Sequence, residues 1–186
     1  MDAAQYEREE VIIGQRDLAG HSAWSLTAMG LAGEAGEAID LLKKAIHHRA
    51  KPLDRDKYMK ELGDVLWYAA LGLRLGEWSF AEAASRTEYL ANVRALGAER
   101  LAFQLSGGVG EICRLIDDHI YKGKPLSVYL RECLIAVVTL VRAMSERAGF
   151  VFEDVMQANV EKLRARHPNG WSPESQAAKA DEAPRG

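Results

Sequence analysis

The sequence has few of the residues that mark secreted or nucleic-acid-binding proteins. Its 186 residues include two cysteines, Cys113 and Cys133, which lie in apolar helical runs and lack the spacing of a metal knuckle. They are therefore interpreted as small buried thiols of a reduced, cytoplasmic protein. The formal net charge is -3, and no basic stripe stands out, so nucleic acid is not expected as a partner.

Long apolar runs are missing as well. The longest run, CLIAVVTLV, falls well short of the roughly 20 residues needed to cross a bilayer. The N-terminal segment MDAAQYEREEVIIGQ has acidic residues where a signal peptide needs positive ones. We therefore expect neither membrane insertion nor targeting.

Only five prolines interrupt the chain, and between them apolar residues recur every three or four positions. This period, seen at Leu31, Ala35, Ala38 and Leu42, is typical of amphipathic helices. It predicts an all-α protein, with helices over residues 4–16, 22–47, 55–75, 79–93, 97–121, 127–147 and 151–166. The small, polar residues 171–186 are predicted to form a disordered tail.

An internal repeat underlies this pattern. The stretch LAGEAGEAIDLL, which begins at Leu31, returns as LSGGVGEICRLI from Leu105, and each copy is followed by a Lys-Pro turn and a second helix. The repeat predicts two tandem hairpins, in residues 1–96 and 97–170, packed about a pseudo-twofold axis into one helical bundle. Shared amphipathic patterning is the alternative, but the shared glycines and Lys-Pro turns exceed what patterning requires.

Paired acids occur on both helices of the first hairpin. Glu34 and Glu37 are three residues apart, as are Glu61 and Asp64, so each pair projects in one direction from its helix. An antiparallel hairpin would make the four acids converge, an arrangement that needs a cation. Oxygen ligands indicate Mg²⁺, with Mn²⁺ as a substitute. A solvated acidic face is the alternative, yet these acids lie in strongly apolar surroundings.

Glycines flank the acids of the first hairpin. Gly33, Gly36 and Gly63 lie inside predicted helices, where a glycine costs about 1 kcal/mol relative to alanine. We therefore expect them to let helices, or a nucleotide, come close.

The second copy departs from the first at its acids. It keeps Glu111 and Glu132 but has Gly108 and Ile135 at the two remaining positions of the motif. Two carboxylates beside a hydrophobic residue make a poor Mg²⁺ site. The second copy is therefore predicted to serve as a scaffold and pocket wall.

The stretch GLAGEAGEAIDLLKK followed by KELGDVLWY resembles the MazG-like branch of the all-α nucleoside triphosphate pyrophosphohydrolases, whose hallmark is E-x-x-E, a connection, then E-x-x-D. The later FEDVMQANVEKLRARHPNGW looks like the family's closing helix with its Asn-x-x-Lys element. The likeness covers about residues 20–172. Two hairpins in one chain resemble the duplicated dimeric deoxyuridine triphosphatases of the same superfamily.

This resemblance implies Mg²⁺-dependent hydrolysis of a nucleoside triphosphate to the monophosphate and pyrophosphate, in control of nucleotide pools. The implied metal-binding and catalytic residues are Glu34, Glu37, Glu61 and Asp64. The expected substrate-binding residues are His21 and Trp24 for the base, and Lys44, Lys51, Asn159 and Lys162 for the phosphates. Taken singly, each lysine is better explained as a surface charge and Trp24 as a core residue, although Asn159 and Lys162 gain from their match to the family element.

Two other functions are compatible with the sequence. One is a helical scaffold that binds a nucleotide or a protein partner without turnover; the other is a phosphoribosyl-ATP pyrophosphohydrolase. The base and sugar preference, and the association of two duplicated chains into a homodimer, stay open at this point.

Overall fold

The computed structural model describes residues 1–14, 20–48, 52–86 and 90–178. These residues form nine α-helices and a π-helical turn, Lys44–His48, that continues α2. The helices are α1 (Ala3–Ile13), α2 (Gly20–Lys43), α3 (Arg55–Leu75), α4 (Phe80–Ser85), α5 (Leu90–Arg94), α6 (Ala98–Lys122), α7 (Val128–Arg147), α8 (Phe152–Arg166) and α9 (Pro173–Ala178). The predicted all-α class is confirmed. None of the described helices is both long enough and apolar enough to span a membrane.

Side-chain caps fix the start of three helices that shape the two hairpins. The side chain of Asp54 accepts a hydrogen bond from a backbone amide in the first turn of α3, Ser79 does the same for α4, and Ser127 for α7. Each such cap contributes about 1 kcal/mol by pairing an amide that the helix leaves open. Helix α6 ends at its C-cap residue Gly123, whose φ of 62° lies in the left-handed region that favours glycine.

Two helical hairpins form the centre of the molecule. Helix α2 packs along α3 and α6 along α7, while α2 also packs on α6 and α3 on α7. The repeated segments bury equivalent positions, which are Leu31, Ala35, Ala38 and Leu42 in α2 and Leu105, Val109, Ile112 and Ile116 in α6. The predicted bundle of two tandem hairpins is confirmed.

The helix after each hairpin crosses to the other hairpin. Helix α8, which follows the second hairpin, packs against α3 of the first, and α4, which follows the first hairpin, packs against α7 of the second. This reciprocity is the relation that a pseudo-twofold axis produces. It also means that the second half of the chain supplies a wall for the first hairpin.

Burial corrects the expected register between α3 and α7. The buried positions Leu62, Val65, Leu66 and Ala69 of α3 match Leu134, Val137, Val138 and Val141 of α7. This match places Cys133 opposite Glu61 and Ala136 opposite Asp64. The pairing of Glu132 and Ile135 with these acids is therefore wrong by one residue, because burial, and not the likeness of single side chains, marks the equivalent places on the two helices.

Two local predictions also need correction. The helix predicted over residues 79–93 ends at Ser85, because Arg86 has an extended backbone with φ -68° and ψ 115°. The tail predicted to be disordered over 171–186 is structured through α9, because the Trp171 amide donates to the Ile13 carbonyl oxygen at 2.9 Å and Ser172 and Ser175 bond each other. Residues 179–186 lie outside the described ranges.

Candidate active site

Three carboxylates converge between α2 and α3. Glu34 on α2 and Glu61 and Asp64 on α3 each place one oxygen within 4.8 Å of the others. Glu61 is only 7% exposed, and the other two side chains are partly buried. Glu37, one turn further along α2, is exposed and lies outside this set. The fold thus gathers three of the four predicted acids and leaves the fourth at their rim.

Like charges and burial make this cluster costly without a cation. Burial, followed by the charges of Asp64, Glu37 and Glu61, raises the pKa of Glu34 from 4.5 to about 7. Burial is also the largest cause that raises the pKa of Glu61, with Glu37 next. It raises the pKa of Asp64 as well, although Lys162 opposes the shift. A nearby divalent cation would reverse this penalty by favouring the charged carboxylates.

Helix α8 brings two further predicted residues to the cluster. The Asn159 amide nitrogen donates to Asp64 Oδ1 at 2.8 Å, and the Lys162 ammonium group pairs with Asp64 Oδ2. Asn159 is itself held by α1, because the hydroxyl of the fully buried Tyr6 donates to its Oδ1 at 2.8 Å. Asp64 is thus oriented by a chain of contacts that begins at the N-terminal helix.

The absence of a side chain at Gly63 allows α8 to approach. A Cβ added at Gly63 would lie 2.8 Å from Asn159 Cβ, closer than real Cβ contacts allow. By contrast, a Cβ at Gly33 or Gly36 would meet nothing within 4 Å. The expectation of close approach therefore holds at Gly63, whereas the two glycines of α2 border open space beside the acids.

The donor set fits a hard divalent cation. The three converging groups offer only carboxylate oxygens, which suit Mg²⁺ and Mn²⁺ better than softer metals. Three ligands from the protein leave coordination positions for water and phosphate. Over the described ranges, this is the one group of three or more His, Cys, Asp or Glu side chains with such geometry.

A cavity of about 260 Å³ opens beside Glu34 and Asp64. Aromatic rings of α3 and of the segment after α8 form much of its wall: Trp67, Tyr68 and Trp171. Tyr68 lies against Gly30 of α2, where an added Cβ would come within 2.4 Å of the ring. None of these aromatic residues was singled out from the sequence, because their convergence depends on how α3 and the chain after α8 pack.

The remaining predicted substrate residues lie elsewhere. Trp24 is 4% exposed and contacts the ring of His119, with 6.2 Å between centroids. His21 is exposed and contacts the same ring. Neither residue lines the cavity, because the start of α2 packs toward the end of α6. Lys44 lies in the π-helical turn and pairs with Asp40, and Lys51 lies outside the described residues.

The second repeat has an open cleft at the equivalent place. Gly108, Cys133 and Ala136 line it where the first repeat has Glu34, Glu61 and Asp64. The remaining acid of the repeated motif, Glu111, forms a bidentate ion pair with Arg114 at 2.7 and 2.8 Å. Among the described residues, no three metal-ligating side chains converge at this cleft as they do in the first repeat.

Comparison with known proteins assigns both repeats to the same family of domains. The sequence model of the MazG nucleotide pyrophosphohydrolase domain matches twice, at residues 24–88 and 97–171. The Gene 37 protein of Mycobacterium phage L5 is 41% identical over 58 residues, which are 29% of this chain and 51% of that protein. The chain thus spans about half the length of this curated relative. No solved structure matches the chain.

Proposed function

Since the chain belongs to the MazG nucleotide pyrophosphohydrolase family and carries two tandem copies of its domain, we propose that the first copy is a Mg²⁺-dependent nucleoside triphosphate pyrophosphohydrolase. It converts a ribo- or deoxynucleoside triphosphate and water into the monophosphate and pyrophosphate. Its cellular role is to remove unwanted nucleotides from the pool. The observation that carries the proposal is the convergence of Glu34, Glu61 and Asp64 beside a cavity of about 260 Å³, which Glu34 and Asp64 line.

The carboxylates of Glu34, Glu61 and Asp64 would hold the cation. When bound, Mg²⁺ supplies neutralisation of the phosphate oxygens and makes a nearby water more acidic. The protein's part is to fix three oxygens within 4.8 Å of one another, a spacing that the hairpin and the hydrogen bond from Asn159 to Asp64 maintain.

Cationic and acidic groups around this centre have separate tasks. Lys162, which pairs with Asp64 in the free protein, turns to a phosphate oxygen of the substrate and offsets its charge. Glu37, exposed at the rim, accepts the proton of the attacking water. The water oxygen then bonds to the α-phosphorus, the bond between this phosphorus and the α–β bridging oxygen breaks, and pyrophosphate leaves.

The test is a panel of nucleoside triphosphates incubated with Mg²⁺, with the monophosphate, pyrophosphate and inorganic phosphate measured separately. We expect the wild-type protein to release pyrophosphate. Glu61→Gln should reduce turnover at least about 100-fold while keeping the helical circular dichroism spectrum, since it removes a charge from the centre. Glu111→Gln, the same change at an acid of the second repeat that has no place in the cluster, should leave turnover unaltered.

Three outcomes would contradict the proposal in different ways. Nucleotide binding without any product would favour the scaffold function. Turnover limited to phosphoribosyl-ATP would assign the chain to that related activity. Equal turnover by wild-type protein and Glu61→Gln would remove the catalytic role of the acid cluster.

A further inference from the structure

A segment after α8 forms part of the cavity wall. We call residues 167–176 the C-terminal strap. Gly170, with φ 86°, turns the chain after α8, and the Trp171 amide then donates to the carbonyl oxygen of Ile13 at 2.9 Å. The strap therefore joins the end of α8 to the end of α1, which are two walls of the same cavity.

Side-chain hydrogen bonds give the strap a defined shape. His167 is 4% exposed, and its Nδ1 lies 2.7 Å from Ser175 Oγ. Ser172 and Ser175 bond each other's backbone amides through their hydroxyl groups at 3.0 and 3.1 Å. These contacts, together with the hydrogen bond from the Trp171 amide to Ile13, fix the backbone on both sides of Trp171.

The position of the acids decides which part of a nucleotide reaches the strap. Glu34 and Asp64 line the cavity together with Trp171 and Gln176. A triphosphate chain bound through a cation on the acids leaves the nucleoside to extend away from them. The cavity, about 260 Å³ in volume, offers aromatic rings there, and a flat heterocycle gains most from an aromatic surface.

We propose that the C-terminal strap is the base-binding element of this site and that Trp171 stacks on the nucleobase. The inference rests on the proposed function for the location of the phosphates. In this proposal the strap binds the nucleoside and the acids carry out the hydrolysis. Mutation of the strap should therefore change substrate affinity without changing the rate of hydrolysis. Gln176, at the same wall, offers an amide to the edge of the base.

The experiment compares substrates with and without a base in the full-length protein. Trp171→Ala should raise KM for nucleoside triphosphates about 10- to 100-fold, in line with loss of one stacked ring. Its kcat should change less than about threefold, and its inhibition by inorganic triphosphate, which has no base, should match that of the wild-type protein. Trp171→Phe should restore most of the KM.

A second tryptophan provides the matched control. Trp78 lines a different cleft, with Glu7 and Arg74, so Trp78→Ala should leave KM unchanged. Unaltered KM in Trp171→Ala, or an equal loss of affinity for nucleoside triphosphate and inorganic triphosphate, would overturn the assignment.

Calorimetric binding of an α,β-imido deoxynucleoside triphosphate distinguishes this inference from the proposed function. If the wild-type protein binds the analogue, and Trp171→Ala binds it about 10-fold or more weakly, the strap is supported even where no turnover is found. Turnover in the wild-type protein together with equal analogue binding by both proteins would refute the base-binding role of the strap but not the proposed function. Neither turnover nor binding would refute both.

Discussion

Replacing Glu34 by glutamine should stabilise the metal-free protein above neutral pH. Burial and the neighbouring acids raise the pKa of Glu34 from 4.5 to about 7, so its charged form is disfavoured in the folded state. Below about pH 4.5 the group is protonated in both states and contributes nothing to their difference. Between about pH 4.5 and about pH 7 the unfolded chain has lost this proton while the folded protein still holds it, so folding becomes steadily less favourable, and above about pH 7 the full penalty remains.

The size of the effect follows from the same pKa values. A change from 4.5 to about 7 corresponds to about 3 kcal/mol, since a tenfold change is worth about 1.4 kcal/mol. Solvent reaches part of this side chain and screens its charge, which reduces the expected gain for Glu34→Gln to about 1–2 kcal/mol at about pH 8. The amide keeps the shape of the carboxylate, so the packing of α2 changes little.

Urea denaturation at about pH 8, with a chelator or with Mn²⁺, measures this gain. In chelator, Glu34→Gln should unfold at a higher urea concentration than the wild-type protein, with an unchanged slope. Mn²⁺ should raise the stability of the wild-type protein and have little effect on the variant, because ligand binding stabilises only a state that holds the ligand. Glu111→Gln, whose acid is paired with Arg114, should respond to Mn²⁺ as the wild-type protein does.

Two results would refute this reasoning. Lower stability of Glu34→Gln in chelator would mean that the acid cluster is not under electrostatic strain. An equal response to Mn²⁺ in wild-type protein and variant would mean that Glu34 is not a ligand.

Two further predictions concern metal affinity and helix packing. The calorimetric affinity for Mn²⁺ should fall as the pH is lowered from about 8 to about 6, because a proton competes for Glu34 near its pKa of about 7; a flat profile would contradict this. Gly63→Ala should cost about 1–3 kcal/mol in thermal or urea unfolding, since its Cβ would overlap Asn159. A Cβ added at Gly107 would meet nothing within 4 Å, so Gly107→Ala should stabilise α6 by up to about 1 kcal/mol. If Gly63→Ala and Gly107→Ala both destabilised the protein, the overlap with Asn159 would not be the cause.

The sequence was sufficient for features that repeat at helical spacing. The hairpins and the carboxylates on α2 and α3 follow from periods of three and four residues, whereas the Asn159 and Lys162 pair was implied by the family resemblance. The structure brings most of these groups together. Glu37 is the exception among the acids, since its side chain is exposed. Spacing along a helix predicts the direction in which a side chain leaves the helix, but not the rotamer of a long side chain.

Contacts between distant segments have no local signature in the sequence. Tyr6 reaches Asn159 across 153 residues, and no local pattern marks it as a partner of the site. Trp171 was assigned to the tail because its neighbours are small and polar, yet a single backbone hydrogen bond to Ile13 returns the segment to the bundle. The base pocket was expected at His21 and Trp24, but aromatic residues of α3 line the cavity beside the acids.

Because α8 crosses from the second hairpin to the first, the site in one half of the chain depends on the other half. Asn159 and Lys162 contact Asp64, which lies 95 and 98 residues earlier in the chain. The second half of the chain, which lacks a full set of carboxylates of its own, therefore still orients an acid of the first half.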